Sequence, residues 1–168
     1  MSIELLDKLP NTCIKKRIIN ELKKIDTNSF LKIFVEMDKL PIIIIKIVDD
    51  LYKTNNVYSF HINPGYPFDK PTVFINNNPY IDFLKIRTVD TSVKLKLLKG
   101  YDCFCCNSLL ICANRWRPET RLINIVEEIR QIRQDKKDII YKIMLDKIKQ
   151  KYLHKNINIE SWLFRFSF

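Results

Sequence analysis

The chain has 168 residues and a formal net charge of +10, a length that suits one domain able to bury roughly two-thirds of the surface its unfolded form would expose. Apolar residues make up 46% and charged residues 29%, which excludes a disordered chain, and no run of about 18 uncharged apolar residues is present to cross a bilayer. The basic excess favours an acidic partner, whether nucleic acid, an anionic membrane or an acidic protein surface, without choosing among them.

The first residues, Met1-Ser-Ile-Glu-Leu-Leu-Asp7, lack the basic start and apolar core of a signal peptide, so a soluble, intracellular protein is expected. In a reducing compartment the five cysteines are expected as thiols, metal ligands or nucleophiles rather than as disulfides. With only two glycines, left-handed turns fall to Asn and Asp.

In chain order, Asn11 or Thr12 is placed to cap a helix. Its apolar face is Ile14, Ile18, Leu22 and Ile25, and its outer face carries Lys15, Lys16, Arg17, Lys23 and Lys24. After Asn28 the period changes to two, over Phe30–Glu36, Pro41–Val48 and Asn56–Ile62. This reads as an antiparallel meander. The run of isoleucines at 42–45 predicts a strand covered on both faces, with a buried helical segment as the alternative. Three prolines between Asn63 and Pro71 forbid regular pairing and make a stiff crossing, followed by a short strand, Thr72–Ile75, and a polar turn, Asn76–Pro79.

From Tyr80 to Gly100 the pattern predicts a connecting segment with a short helix at 91–99. Pro118 and Glu119 suit a helix start, and Leu122, Ile125, Val126, Ile129 and Ile132 mark its buried stripe. Asp135-Lys-Lys-Asp138 is expected to break it, leaving a last helix with Ile140, Ile143, Met144, Ile148 and Tyr152 on its apolar face. The aromatic tail Trp162–Phe168 is suited to pack back or to meet a partner. No internal repeat is present.

Four of the five cysteines, Cys103, Cys105, Cys106 and Cys112, fall in a turn that closes on Trp116-Arg117-Pro118. Three uses stay open. One thiol can be a nucleophile. Cys103, Cys105, Cys106 and Cys112 can together supply four soft ligands to zinc, although the adjacent pair departs from usual ligand spacing. Alternatively all four are small buried hydrophobes. Cys13 reads as structural, and His61 and His154 as structural or solvated, since neither has a partner at catalytic spacing.

Two segments carry a resemblance. Tyr66-Pro67-Phe68-Asp69-Lys70-Pro71-Thr72-Val73-Phe74 is similar to the Tyr-Pro-Phe-x-Pro-Pro-x-Val-x-Phe motif of the ubiquitin-conjugating (UBC) family, and Trp116-Arg117-Pro118 to its Trp-Ser-Pro. With the order of elements around them, the chain from about Ile14 to Tyr152 resembles the UBC fold, and the pattern is reminiscent of divergent UBC-like proteins of large DNA viruses. The implied architecture is α+β: an N-terminal helix, a four-stranded antiparallel meander, a cysteine-bearing turn and two C-terminal helices in a single domain.

The resemblance implies a cysteine that accepts ubiquitin, or a related modifier, as a thioester eight residues before the Trp. That slot is Ser108, followed by Leu109-Leu110-Ile111. Cys106 and Cys105, two and three residues upstream, are the candidate nucleophiles, and Cys112 ranks below them. The family's His-Pro-Asn motif is missing: Leu98-Lys-Gly-Tyr-Asp102 stands in its place, and Asn76 to Asn78 come too early. The family's first helix docks an activating enzyme, which makes Lys15, Lys16 and Arg17 the matching residues, and a ligase is a further implied partner.

Two other readings stand beside this one. The first is a catalytically inactive UBC-like module that binds ubiquitin or another protein, with zinc on the cysteine cluster. The second, phosphate-backbone binding by the lysines of the last helix, lacks a recognised nucleic-acid motif and interleaved aromatic residues.

Overall fold

The computed structural model describes residues 13–27, 30–37, 41–51, 55–86, 88–112 and 115–152. The expected cap at Asn11 or Thr12, His154 and the tail Trp162–Phe168 lie outside the described residues. The chain folds as α+β, with an N-terminal helix, a five-stranded antiparallel sheet in sequential order and C-terminal helices.

Helix α1 (Cys13–Asp26) turns Ile18, Leu22 and Ile25 into the core, as its 3.6-residue period dictates, with Ile14 packed at the edge. Strand β1 (Leu31–Glu36) alternates in the same clear way: Leu31, Ile33 and Val35 are buried, while Phe34 points outward.

Strand β2 (Ile43–Asp49) corrects the expectation of a strand covered on both faces. Ile43, Ile45 and Ile47 are buried, but Ile44 and Lys46 between them are only half covered, so the isoleucine run serves a one-sided sheet. Its register sets Ile45 opposite both Val35 and Phe60, and Ile47 opposite Ile33 and Tyr58, which builds one continuous apolar layer across β3 (Asn56–Ile62).

Strand β4 (Thr72–Ile75) adds Val73 and Ile75 to that layer. A fifth strand, β5 (Asn78–Pro79), exceeds the four expected: Asn76 and Asn77 take left-handed φ values of 50° and 64° and fold the chain back onto β4. Asn55 likewise sits at φ 42° before β3, so asparagine does supply left-handed turns in this glycine-poor chain.

Between β5 and the cysteine turn lie two helices, α2 (Tyr80–Leu84) and α3 (Val89–Lys99). The first has no signal in the sequence pattern. The second begins two residues earlier than expected, because the Thr88 hydroxyl accepts the Thr91 N–H, and it ends where Gly100 takes φ 78°.

Helix α4 (Leu122–Tyr152) is one continuous 31-residue helix, not two. The expected break fails because its polar residues find partners both within the helix and on α3. Asp135 is buried, accepts from Gln131 Nε2 at 2.9 Å and pairs with Lys99 of α3 at 2.7 Å, while Gln134 donates to Asp138 at 2.8 Å. Helix α4 also starts at Leu122, four residues after Pro118, where Glu21 of α1 accepts the Leu122 N–H at 2.8 Å. Leu122, Ile125, Val126 and Ile129 are fully buried and share one core with α1 and the sheet. Each such side chain contributes roughly 1.5–3 kcal/mol relative to leaving it exposed. Among the described residues no helix is long and apolar enough to cross a membrane.

Candidate thiol site

The two segments that carry the resemblance meet in space. The crossing Asn63–Pro71 contains a cis Tyr66–Pro67 peptide, and the Trp116 indole N–H donates to the Pro67 carbonyl at 2.9 Å while its ring lies 6.2 Å from that of Tyr66. Tyr66 is buried and donates to the Glu21 carboxylate at 2.6 Å; Arg17 also bonds that carboxylate, and the N–H of Leu122 caps onto its second oxygen. Burial, reinforced by the adjacent carboxylate, drives the Tyr66 phenol well above its ordinary pKa, so it stays a donor. One carboxylate therefore ties α1, the proline crossing and the start of α4 together.

The turn itself is a short 3-10 segment, Phe104–Asn107, anchored by the buried Phe104 ring edge-on to Tyr101. Ser108, in the slot where the resemblance expects a nucleophile, is buried. Its hydroxyl donates to Tyr80 Oη at 3.3 Å and accepts the N–H groups of Leu110 and Ile111 at 3.2 and 3.3 Å. Tyr80 in turn donates to Glu128, whose other oxygen accepts the Leu109 N–H at 2.9 Å. Burial, then the nearby Glu128 charge, raises the Tyr80 pKa strongly. Ser108 organises the turn and is shielded from any substrate.

The cysteines separate into distinct environments. Cys103 and Cys105 are joined by a disulfide, which departs from the expectation of thiols throughout. The cause is local: extended backbone at Cys103 runs straight into the 3-10 segment and brings the alternate sulfurs together. Cys105, a candidate nucleophile, is thus bonded and half-buried, whereas Cys106 is a free, exposed thiol with its sulfur 3.2 Å from that of Cys103. The Cys103, Cys105 and Cys106 sulfurs all lie within 4.8 Å of one another, a set that could hold a metal ion once the Cys103–Cys105 bond is reduced. Cys112 is half-buried and does not join that group, so the expected four-cysteine set reduces to three. Cys13 is exposed rather than packed.

Beside the disulfide opens a cleft of about 540 Å³, whose walls combine Ile81, Leu84 and Ile86 with Lys85 and Asp102 and include both Cys103 and Cys105. Of the residues implied to dock an activating enzyme, Lys16 is exposed and Lys15 is half-buried. Arg17 is held by Glu21 and by the Thr120 carbonyl, at 3.2 Å from the latter, which makes it part of the internal framework. His61 lies against the Phe74 ring within the sheet.

Sequence reasoning missed Glu21, Tyr80 and Glu128. The signal for Glu21 is its position: three residues after Ile18 and beside Leu22, an acid inside the apolar stripe marks a buried, partnered carboxylate. Tyr80 and Glu128 give no comparable signal. In comparison with known proteins, no family model, no curated protein and no solved structure matches this chain.

Proposed function

We propose that the chain is a divergent ubiquitin-conjugating-like protein that takes ubiquitin or a related modifier as a thioester on Cys106 and passes it to a lysine. The observation that carries this reading is the contrast at the turn: Cys106 is an exposed free thiol while Ser108, in the resemblance's nucleophile slot, is buried and fully bonded. The contact of Trp116 with the Tyr66–Pro67 crossing supports it, since both resembling motifs then belong to one scaffold. Cys106 as thiolate attacks the acyl carbonyl of the modifier's thioester on an activating enzyme, that enzyme's thiolate departs, and a lysine amine later displaces Cys106. Helix α1 offers the exposed Lys16 toward the acidic surface of such an enzyme.

A reductant-sensitive adduct on incubation with activating enzyme, ubiquitin and ATP is expected, lost in Cys106→Ala and kept in Cys112→Ala. Full loading with both Cys105 and Cys106 changed to alanine sinks the proposal.

The convergence of three sulfurs favours a second reading, a non-catalytic UBC-like module with a soft metal such as zinc on Cys103, Cys105 and Cys106 in their reduced form. Stoichiometric metal in protein purified with reductant, together with no adduct, selects it; protein free of metal under those conditions rejects it.

A further inference from the structure

We propose that Cys103, Cys105 and Cys106 form a thiol–disulfide exchange centre that moves one free thiol between the open surface and the adjacent cleft. This inference rests on the sulfur geometry and is independent of whether the chain carries a modifier. The Cys103–Cys105 disulfide and the exposed Cys106 thiol stand in contact, with 3.2 Å between the Cys106 and Cys103 sulfurs. Both bonded cysteines line the cleft walled by Ile81, Leu84 and Ile86, and Cys106 does not.

The step balances within the chain. Cys106, having released its proton to water, attacks the Cys103 sulfur. A Cys103–Cys106 bond forms as the Cys103–Cys105 bond breaks, and the electron pair leaves on Cys105, which takes a proton back. No electrons enter or leave, so no outside oxidant or reductant takes part. The backbone already accommodates the product: the Cys106 N–H donates to the Cys103 carbonyl at 3.4 Å, which closes Cys103-x-x-Cys106 into one turn. That is the spacing of dithiol redox motifs. In one state the free thiol faces solvent as Cys106; in the other it lies at Cys105 in the wall of the cleft, whose lining mixes Ile81, Leu84 and Ile86 with Lys85, Thr88 and Asp102, where a small electrophile or small disulfide can reach it.

The test uses the full chain purified without reductant. After incubation at mildly alkaline pH, exchange is stopped by acid, because only the thiolate attacks. Free thiols are then alkylated under denaturing conditions and located by fragmenting the tryptic peptide that follows Lys99 and ends at Arg115, which contains all four clustered cysteines. Label is expected on both Cys105 and Cys106, one equivalent in total across Cys103, Cys105 and Cys106, with none on Cys103, beside full label on the free Cys112 of the same peptide. In Cys106→Ser, a change at an exposed position, the Cys105 label should fall to background. Label confined to Cys106 in the native chain overturns the proposal, as does Cys105 label that persists in Cys106→Ser. Alkylation of all three of Cys103, Cys105 and Cys106, or protection of all three by a retained metal ion, also overturns it, because no disulfide would then be available to exchange.

Discussion

The Asp49 carboxylate at the end of β2 is fully buried and receives both the Nε and an Nη of Arg130 on α4 at 2.8 Å, a bidentate pair between residues 81 positions apart. Tyr58 of β3 adds a third hydrogen bond at 2.9 Å and Leu51 N–H a fourth at 3.1 Å. Burial alone would raise the Asp49 pKa; the bonds from Arg130, Leu51 and Tyr58 outweigh it and hold the group below the usual carboxylate range. Asp49→Ala removes the buried acceptor of Arg130, Tyr58 and the Leu51 N–H together, so it should cost about 3–5 kcal/mol, read from urea unfolding.

A pH dependence follows with a definite sign. Because the folded-state pKa of Asp49 is depressed, its contribution is complete above the unfolded-state value of about 4 and is lost as pH falls through the folded-state value. Stability should therefore decline on acidification below that range, and Asp49→Asn should flatten the decline. An unchanged acid limb in the variant would refute the assignment.

Ser108 gives a prediction about architecture and one about chemistry. Ser108→Ala strands the N–H groups of Leu110 and Ile111 and should cost about 1–3 kcal/mol of stability. Ser108→Cys restores the residue type that the resemblance expects, yet the site is buried, so modifier loading should still depend on Cys106. A Ser108→Cys, Cys106→Ala double variant that loads as well as the unmodified chain would contradict this.

Metal uptake distinguishes three cysteines from four. Under reducing conditions, Cys103→Ser should weaken binding of a thiophilic ion, and Cys112→Ser should leave it unchanged, by elemental analysis and competition with a chelator. Equal losses from both changes would return Cys112 to the ligand set.

Much of the scaffold was legible because its periods are clean. Ile18, Leu22 and Ile25 recur at helical spacing, and Leu31, Ile33 and Val35 alternate, so local pattern and tertiary burial agree. The helix break expected at Asp135–Asp138 failed for a reason no local pattern holds: Lys99, on another helix, supplies the charge that lets Asp135 be buried within α4. The cysteine turn was legible as a site but not in its pairing, since sulfur proximity there depends on one extended residue, Cys103, entering a 3-10 segment. Ser108 was legible only as the occupant of the slot where the resemblance expects a cysteine, because its role is fixed by Tyr80, a residue 28 positions away in a helix with no signal of its own.

Tyr66→Phe removes one of the hydrogen bonds to Glu21 and should cost about 1–3 kcal/mol, while Trp116 keeps its bond to Pro67; a cost near zero would show that Arg17 and Leu122 suffice.

The Glu21 carboxylate also imposes an order of assembly. Helix α4 has no acid in its first turn, and its Leu122 N–H is capped by a residue 101 positions earlier. In a partly folded chain that end frays until α1 has docked, whereas the downstream turns can form by themselves. The closure of so long a loop is paid late on the folding route. We predict that Glu21→Gln speeds unfolding and leaves the folding rate nearly unchanged; a slowed folding limb in a denaturant series would instead place this contact in the nucleus.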